Sequence, residues 1–336
     1  MEQPQQRWTA EEIEEAARGF EAASVLMAAT ELGVFAAMAR KPNGMKPADL
    51  ATAVGAEPRR LRVLLDALVM LGFAERTLRG TYRGTTGELL FEAHPDGLYH
   101  RLRHLHQLQM GWVHLAEVVR DGRPRETAAT GKSVADLRCF QETLFVRSRA
   151  SAEEAVRRLH IETAAKLLDV GGGAGAYVLA ALEQNPYLEA TIVDTSAVID
   201  IAKEKIAAAG AAERVTFVAG DFFAVPFGGG FERVLLSNIA HIYSPEQNRA
   251  LLRRCFEALA PGGMIGVKDF FLARDRLGPR DAVMFAVNMA VFTENGNAYT
   301  QEELAEWLTE TGFAEVSAVR LESTRTQGLV VGRRPS

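Results

Sequence analysis

Cysteine is scarce in this 336-residue chain: there are only Cys139 and Cys255, far apart and outside any CxxC or CxxxH spacing. That excludes a disulfide framework and a thiolate metal site, and it suits a reducing cytoplasm. Basic charge is not in surplus either, since 38 Lys and Arg face 43 Asp and Glu for a net charge of -5. A nucleic-acid binder ordinarily carries a basic excess, so the bulk charge gives that class no support. No apolar run approaches the roughly 20 residues of a membrane-spanning helix. Met1 to Ala16 is polar and acidic, unlike a secretory leader. What remains, 48% apolar and 24% charged, is the composition of a soluble globular protein long enough for two domains.

The first hundred residues read as helical. Phe20 to Met38 is small and apolar almost all round, through Val25, Leu26, Met27, Leu32, Val34 and Phe35, which suits either a subunit interface or an internal core helix. Pro47 to Val54 and Pro58 to Leu71 read as two short helices with Gly55 and Gly72 at their ends, followed by Phe73-Ala74-Glu75-Arg76 and Thr81-Tyr82-Arg83. That is the outline of a winged helix-turn-helix. Arg59, Arg60 and Arg62 on its second helix would serve DNA binding, whereas dimerisation or pocket lining is the structural use of the same module. Residues from about Pro95 to Leu159 continue helical and carry His100, His104, His106 and His114. His100 and His104 share a helix face, but no acidic or cysteine partner has a matching spacing, so no metal is expected.

From Ala165 the rhythm becomes strand, tight turn, helix. Candidate strands are Lys166–Val170, Ala190–Val193, Val215–Ala219, Arg233–Ser237, Met264–Phe271, Val316–Leu321 and Gly328–Val331. Ser244-Pro245-Glu246-Gln247 and Thr300-Gln301-Glu302-Glu303 are capping boxes that start helices. Such alternation predicts a mostly parallel, Rossmann-like α/β sheet with helices on both faces.

The chemistry-bearing residues fall at successive strand ends. Asp169-Val170-Gly171-Gly172-Gly173-Ala174-Gly175 is a glycine loop of the kind that lets backbone approach a nucleotide-like cofactor, although nicotinamide and adenosyl cofactors share the device. Asp194, with Thr195 after it, ends the next strand, where a carboxylate can accept both ribose hydroxyls. Gly220-Asp221-Phe222-Phe223 follows the third strand: Asp221 can accept an adenine amino group and Phe222 can stack on the ring. Ser237-Asn238-Ile239-Ala240-His241 ends the fourth, placing an imidazole at the ligand-binding edge, where it can take a proton. Asp269, at the end of the fifth, is the candidate to orient it.

These runs, together with Ala260-Pro261-Gly262-Gly263 and Val267-Lys268-Asp269-Phe270, resemble the plant-type small-molecule O-methyltransferases, a family that includes caffeate and hydroxyindole enzymes and bacterial natural-product enzymes. The resemblance spans nearly the whole chain. It implies S-adenosylmethionine as cofactor, S-adenosylhomocysteine as product, and a Rossmann-like methyltransferase domain with a seven-stranded sheet behind a winged-helix dimerisation domain. It puts His241 at the family's catalytic base with Asp269 flanking it. Asp169, Gly171, Gly173, Gly175, Asp194, Thr195, Asp221, Phe222 and Ser237 then fall to the cofactor. Phe140, Leu144, Met284, Phe285, Asn288, Met289 and Asn295 fall to the acceptor pocket, although plain core packing explains the methionine and aromatic stripe equally well.

Two departures stand out. The chain has Asp194-Thr195-Ser196 where many members have Asp-Leu-Pro. A second glutamate that plant members carry near the base falls on Ala298, with Glu294 and Asn295 nearby in sequence. The expectation is a cytoplasmic homodimer that methylates a hydroxyl of a small molecule, without metal, nucleic acid or membrane as partner. Its divisions are 1–95 for the dimerisation domain, 96–160 for a helical connection lending residues to the pocket, and 161–336 for the catalytic domain. The alternatives are S- or C-methylation of a small acid, or a lyase or cyclase that keeps the cofactor; a DNA-binding regulator suits the sequence less well.

Overall fold

The computed structural model describes residues 8–86, 89–90, 98–124, 134–324 and 326–336. The chain divides into two compact units, Met1–Gln107 and Leu108–Ser336. The first holds α1 (Ala10–Ala17), α2 (Phe20–Glu31), α3 (Val34–Ala39), α4 (Pro47–Val54), α5 (Pro58–Met70), β1 (Ala74–Arg76) and β2 (Tyr82–Gly84). Thr9 starts α1 through a capping box with Glu12. The apolar run expected as one helix is two, because the chain turns at Leu32 and Gly33, the latter left-handed at φ 70°. Val34, Phe35, Met38, Leu50, Leu61, Leu65, Leu68 and Tyr82 form the core of this unit, and β1 pairs antiparallel with β2 as the wing. At the start of α5, the Glu57 carboxylate accepts the amides of Arg59 and Arg60 at 3.1 and 2.7 Å. A carboxylate at that helix start occupies the place where a DNA phosphate would dock.

The division between the units falls within α6 (Tyr99–Trp112), so the helical stretch expected as a separate connection is shared between them. The second unit continues with α7 (Leu115–Asp121), α8 (Val134–Arg158), β3 (Lys166–Val170), α9 (Ala176–Gln184), β4 (Glu189–Asp194), α10 (Ser196–Ala208), β5 (Val215–Ala219), β6 (Phe231–Ser237), α11 (Pro245–Ala258) and β7 (Leu259–Leu272). It closes with α12 (Arg280–Phe292), β8 (Tyr299–Thr300), α13 (Gln301–Thr311), β9 (Ala314–Arg320) and β10 (Gln327–Arg333).

Its sheet runs β5-β4-β3-β6-β7-β10-β9, with β10 antiparallel to both neighbours and the rest of the path parallel. The seven expected strands are joined by β8, a two-residue strand on β7. Buried alternation explains the two-layer cover. Leu167, Leu235 and Leu329 face the layer of α8 and α9, while Leu168, Val234, Ile265 and Val330 face that of α11 and α13. Connections leave β3 toward β4 and β5 and then return to β6, so a crevice opens at the carboxyl ends of β3 and β6. The fifth strand, expected as Met264–Phe271, runs Leu259–Leu272, and β8 and β10 still pair with it after its pairing with β6 stops at Ser237 and Lys268. Asp269 therefore lies where β6 peels away. Among the described residues, no helix is long and apolar enough to cross a membrane.

Candidate active site

The glycine loop turns out of β3 on a hydrogen bond from the Gly171 amide to the Val193 carbonyl, 2.8 Å. Gly171, Gly173 and Gly175 are all left-handed, at φ 71°, 57° and 85°, a conformation that costs an L-side chain energy. Space is short as well. A Cβ on Gly171 would come within 2.2 Å of Ile239 Cδ1 and 3.9 Å of Phe222 Cε1, so the loop lies against the residues after β5 and β6.

Asp194 closes the loop from β4. Its Oδ2 accepts the Gly173 amide at 2.9 Å and its Oδ1 the Thr195 amide at 2.7 Å. Each oxygen keeps a lone pair for a further donor. Burial raises its carboxyl above the ordinary range, and the amides of Gly173 and Thr195 counter part of that. Thr195 is exposed. Asp169, wholly buried beneath the loop, has no hydrogen-bond partner on either oxygen. Burial first, and then the charge of Asp194, push its carboxyl up to about 8.

Asp221 is exposed, with one oxygen accepting the Phe223 amide at 2.9 Å. Phe222 is more enclosed than a free stacking platform: it is buried and packs edge-on to Tyr243 at 5.8 Å between centroids. Ser237 is buried at the end of β6. Asn238 beside it takes a left-handed turn, φ 58°, and its Oδ1 accepts from Gln327 Nε2 at 3.0 Å. That turn feeds a single 3-10 turn, Ala240–Ile242, which carries His241.

His241 and Asp269 meet. His241 Nδ1 lies 2.7 Å from Asp269 Oδ1, and the His241 amide donates to Oδ2 at 3.1 Å. The Phe270 amide also donates to Oδ1, at 2.8 Å. An ionised carboxylate only accepts, so Nδ1 carries the hydrogen and the lone pair of the neutral ring sits on Nε2. Phe285 stands edge-on to the imidazole at 4.7 Å and stacks at a tilt on Phe270 at 4.3 Å. Burial pushes the hydroxyls of Tyr243 and Tyr299 up to about 12, so neither is a base near neutral pH.

The expected acceptor residues divide. Phe285 is at the imidazole. Asn288 Oδ1 accepts from Trp112 Nε1 at 2.9 Å, and Met284 on the same helix is partly exposed. Met289 is buried, and its carbonyl accepts from the Thr293 hydroxyl at 2.6 Å. Phe140 and Leu144 are half-buried on α8. Asn295 and Glu294 are exposed. Ala298, at the position of the family's second glutamate, lies in an apolar cluster with Leu272 and Ala282.

Sequence reasoning missed Asn248. Its Nδ2 lies 2.9, 3.0 and 3.1 Å from the carbonyls of Ala240, Tyr243 and Ser244, which pins the turn under His241. The signal was present: Asn248 is a polar residue on the buried stripe of α11 with Leu251, Leu252 and Cys255. Trp112, Phe270 and Gln141 were missed too. Gln141 is buried on α8 with Oε1 unpartnered, 3.1 Å from where a Cβ on Gly173 would stand. Nothing local in sequence marks that approach, because α8 and the loop meet only in the fold. Among the described residues, no three metal-ligating side chains converge.

The family model for the O-methyltransferase domain matches residues 112–314, and that for the O-methyltransferase dimerisation domain matches residues 14–87. The 3-hydroxy-5-methyl-1-naphthoate 3-O-methyltransferase of Streptomyces sahachiroi is 34% identical over 331 residues, covering 94% of this chain and 93% of its own. The tetracenomycin polyketide synthesis 8-O-methyl transferase of Streptomyces glaucescens is 28% identical, over 94% of each chain. The crystal structure of human N-acetylserotonin methyltransferase in complex with S-adenosylmethionine matches with a TM-score of 0.86 at 26% identity, covering 100% of both chains. The chain belongs to the O-methyltransferase family, with a dimerisation domain ahead of a methyltransferase domain that uses S-adenosylmethionine.

Proposed function

We propose that the chain methylates an aromatic hydroxyl of a small, largely apolar molecule, with His241 as general base and Asp269 as its positioning residue. The observation that carries this is the 2.7 Å contact between His241 Nδ1 and Asp269 Oδ1, which leaves the base lone pair on Nε2 of a ring that Phe285 meets edge-on. The residues present fit the cofactor. Gly171, Gly173 and Gly175 would let it approach the loop backbone, Asp194, with a lone pair left on each oxygen, would accept its ribose hydroxyls, Asp221 and Phe222 would meet its adenine, and Asp169 and Ser237 would lie beneath it. When bound, S-adenosylmethionine supplies an electrophilic methyl group on its sulfonium.

The protein's part is then positioning and proton removal. His241 Nε2 takes the acceptor's proton as its oxygen becomes nucleophilic, and the Asp269 carboxylate steadies the resulting imidazolium. Phe285 and Phe270 form an aromatic wall that orients a flat acceptor and excludes water from one side of the imidazole. The aromatic acceptors in the names of the Streptomyces relatives and of the human enzyme support the same class.

The chain acts as a homodimer through its first unit. Exposed Trp8, Ile13, Phe20, Leu32, Val63 and Met70 give α1, α2 and α5 apolar surface for a second copy. Cys139 and Cys255 are both buried and outside any disulfide, which suits the cytoplasm.

Calorimetry with S-adenosylmethionine, S-adenosylhomocysteine and NAD, followed by transfer of labelled methyl to hydroxynaphthoates and hydroxyindoles, tests the reading. Binding of NAD alone would overturn it. His241→Ala should lower turnover by about a hundredfold or more with cofactor affinity level, and unchanged turnover would remove His241 from the mechanism.

A further inference from the structure

The loop region holds two buried acceptors with nothing to accept. Gln141 is 5% exposed and its Oε1 has no partner; Asp169 is 0% exposed and neither of its oxygens has one. They border adjacent glycines of the loop. A Cβ on Gly172 would lie 2.9 Å from Asp169 Oδ2, and one on Gly173 would lie 3.1 Å from Gln141 Oε1. Buried polar atoms are almost always hydrogen-bonded, so two orphans at one loop mark a place where a ligand's donor belongs.

Gln141 is also held there. Its helix is tied to α10 on either side of it, by Arg138 to Glu204 at 2.7 Å and by Lys205 to Glu142 at 2.8 Å. Ser151 and Tyr177, 3.4 Å apart, join the same helix to α9 further along. The amide is thus presented to the loop by a fixed element rather than by a mobile end.

An orphan acceptor calls for a donor, and a second orphan that is a carboxylate calls for a cationic one. Beyond its sulfonium, S-adenosylmethionine has one cationic donor, the α-ammonium of its methionine end. We infer that Gln141 is a cofactor-binding residue whose Oε1 accepts a hydrogen bond from that ammonium, with Asp169 as the facing acceptor. The assignment rests on the S-adenosylmethionine reading above and names the residue that selects the amino-acid end of the cofactor. It also explains why the side chain is a neutral amide. A third acidic group beside Asp169 and Asp194 would add like charge to a buried site whenever the cofactor is absent.

The test is calorimetry on the full chain with three probes: S-adenosylhomocysteine, its decarboxylated analogue S-adenosyl-3-thiopropylamine, which keeps the amine, and 5′-methylthioadenosine, which lacks the whole amino-acid end. Gln141→Leu should weaken the first two by about tenfold and leave 5′-methylthioadenosine unchanged. Gln141→Glu, which keeps an acceptor, should bind the amine-bearing probes at least as well as Gln141→Leu does, and better. Equal weakening of all three probes would mean that Gln141 only packs the helix, and would overturn the assignment. Loss confined to S-adenosylhomocysteine, with the decarboxylated analogue unaffected, would mean that the amide meets the carboxylate instead, and would overturn it as well. If the unmutated chain bound none of the probes, the cofactor reading itself would fall, a result distinct from either of these.

Discussion

Replacing Asp269 by Asn isolates the contribution of charge at the base. The carboxylate takes three donors, the His241 and Phe270 amides and His241 Nδ1. An amide can keep only one oxygen in that place. The favoured orientation puts it toward Nδ1 and Phe270, preserving the tautomer, and leaves the new NH2 facing the His241 amide 3.1 Å from its former acceptor. One buried N–H then goes unsatisfied, at a cost of about 1–3 kcal/mol in stability. The larger effect is on the reaction. A carboxylate roughly 4 Å from the centre of the imidazolium is worth about 4 kcal/mol at the effective dielectric of a protein site. At about 1.4 kcal/mol per tenfold, turnover should drop by about a thousandfold. The assay is single-turnover methyl transfer to a hydroxynaphthoate under saturating cofactor, with calorimetric cofactor affinity and thermal unfolding measured in parallel. A variant that folds and binds S-adenosylmethionine normally but loses less than about fivefold in rate would show that imidazolium formation is not stabilised by Asp269 and would refute the reasoning.

Asp169→Asn should stabilise the protein in the absence of cofactor in a pH-dependent way. The native carboxyl is held up near 8 against 3.8 unfolded, so its favourable contribution is complete below the lower value and is lost as pH rises through the upper one. Scanning fluorimetry should therefore show the variant's advantage growing between about pH 5 and 8; an advantage independent of pH would disprove the shift. Glu154 behaves oppositely. Burial alone would raise it, but hydrogen bonds from the Ser323 hydroxyl and the Glu322 and Ser323 amides outweigh that and hold it at about 2. Its stabilisation is present above the ordinary carboxyl range and lost as pH falls toward 2, so Glu154→Gln should cost roughly 2–3 kcal/mol at neutral pH and little in acid, read from urea unfolding at both. Asn248→Leu strips the donor from three carbonyls of the turn under His241 and should lower turnover by roughly tenfold or more while cofactor affinity holds; a drop in affinity alone would contradict the role given to it. Ile13→Glu with Phe20→Glu should turn a dimer into a monomer in light scattering, and an unaltered dimer would place the interface elsewhere.

The order of the site was legible along the chain. Each strand is a short apolar run followed by its own polar or glycine-rich end, and parallel pairing brings such ends to one edge whatever the detailed packing. Gly171 to Gly175, Asp194, Asp221 and His241 were singled out as candidates in this way. The capping boxes at Ser244 and Thr300 set helix starts correctly because both partners of each box lie within four residues. Where a decision depended on a distant partner, local pattern failed. The break at Gly33 required the packing of α2 and α3 around Leu65 and Leu68, and the two-residue strand β8 exists only through its pairing with β7.

The amino-acid sequence by itself thus determined the strand and helix order and the glycine turn, and singled out His241 as the proposed proton acceptor, since those follow from local periodicity and from residue chemistry. Tertiary structure alone decided that Asp269 faces Nδ1 rather than lying beyond reach, that Asn248 secures the turn and that Gln141 meets Gly173. Each of those contacts joins residues brought together from different elements across β6, α11 or α8. Their distances are set by how the layers stack, and no spacing along the chain encodes that.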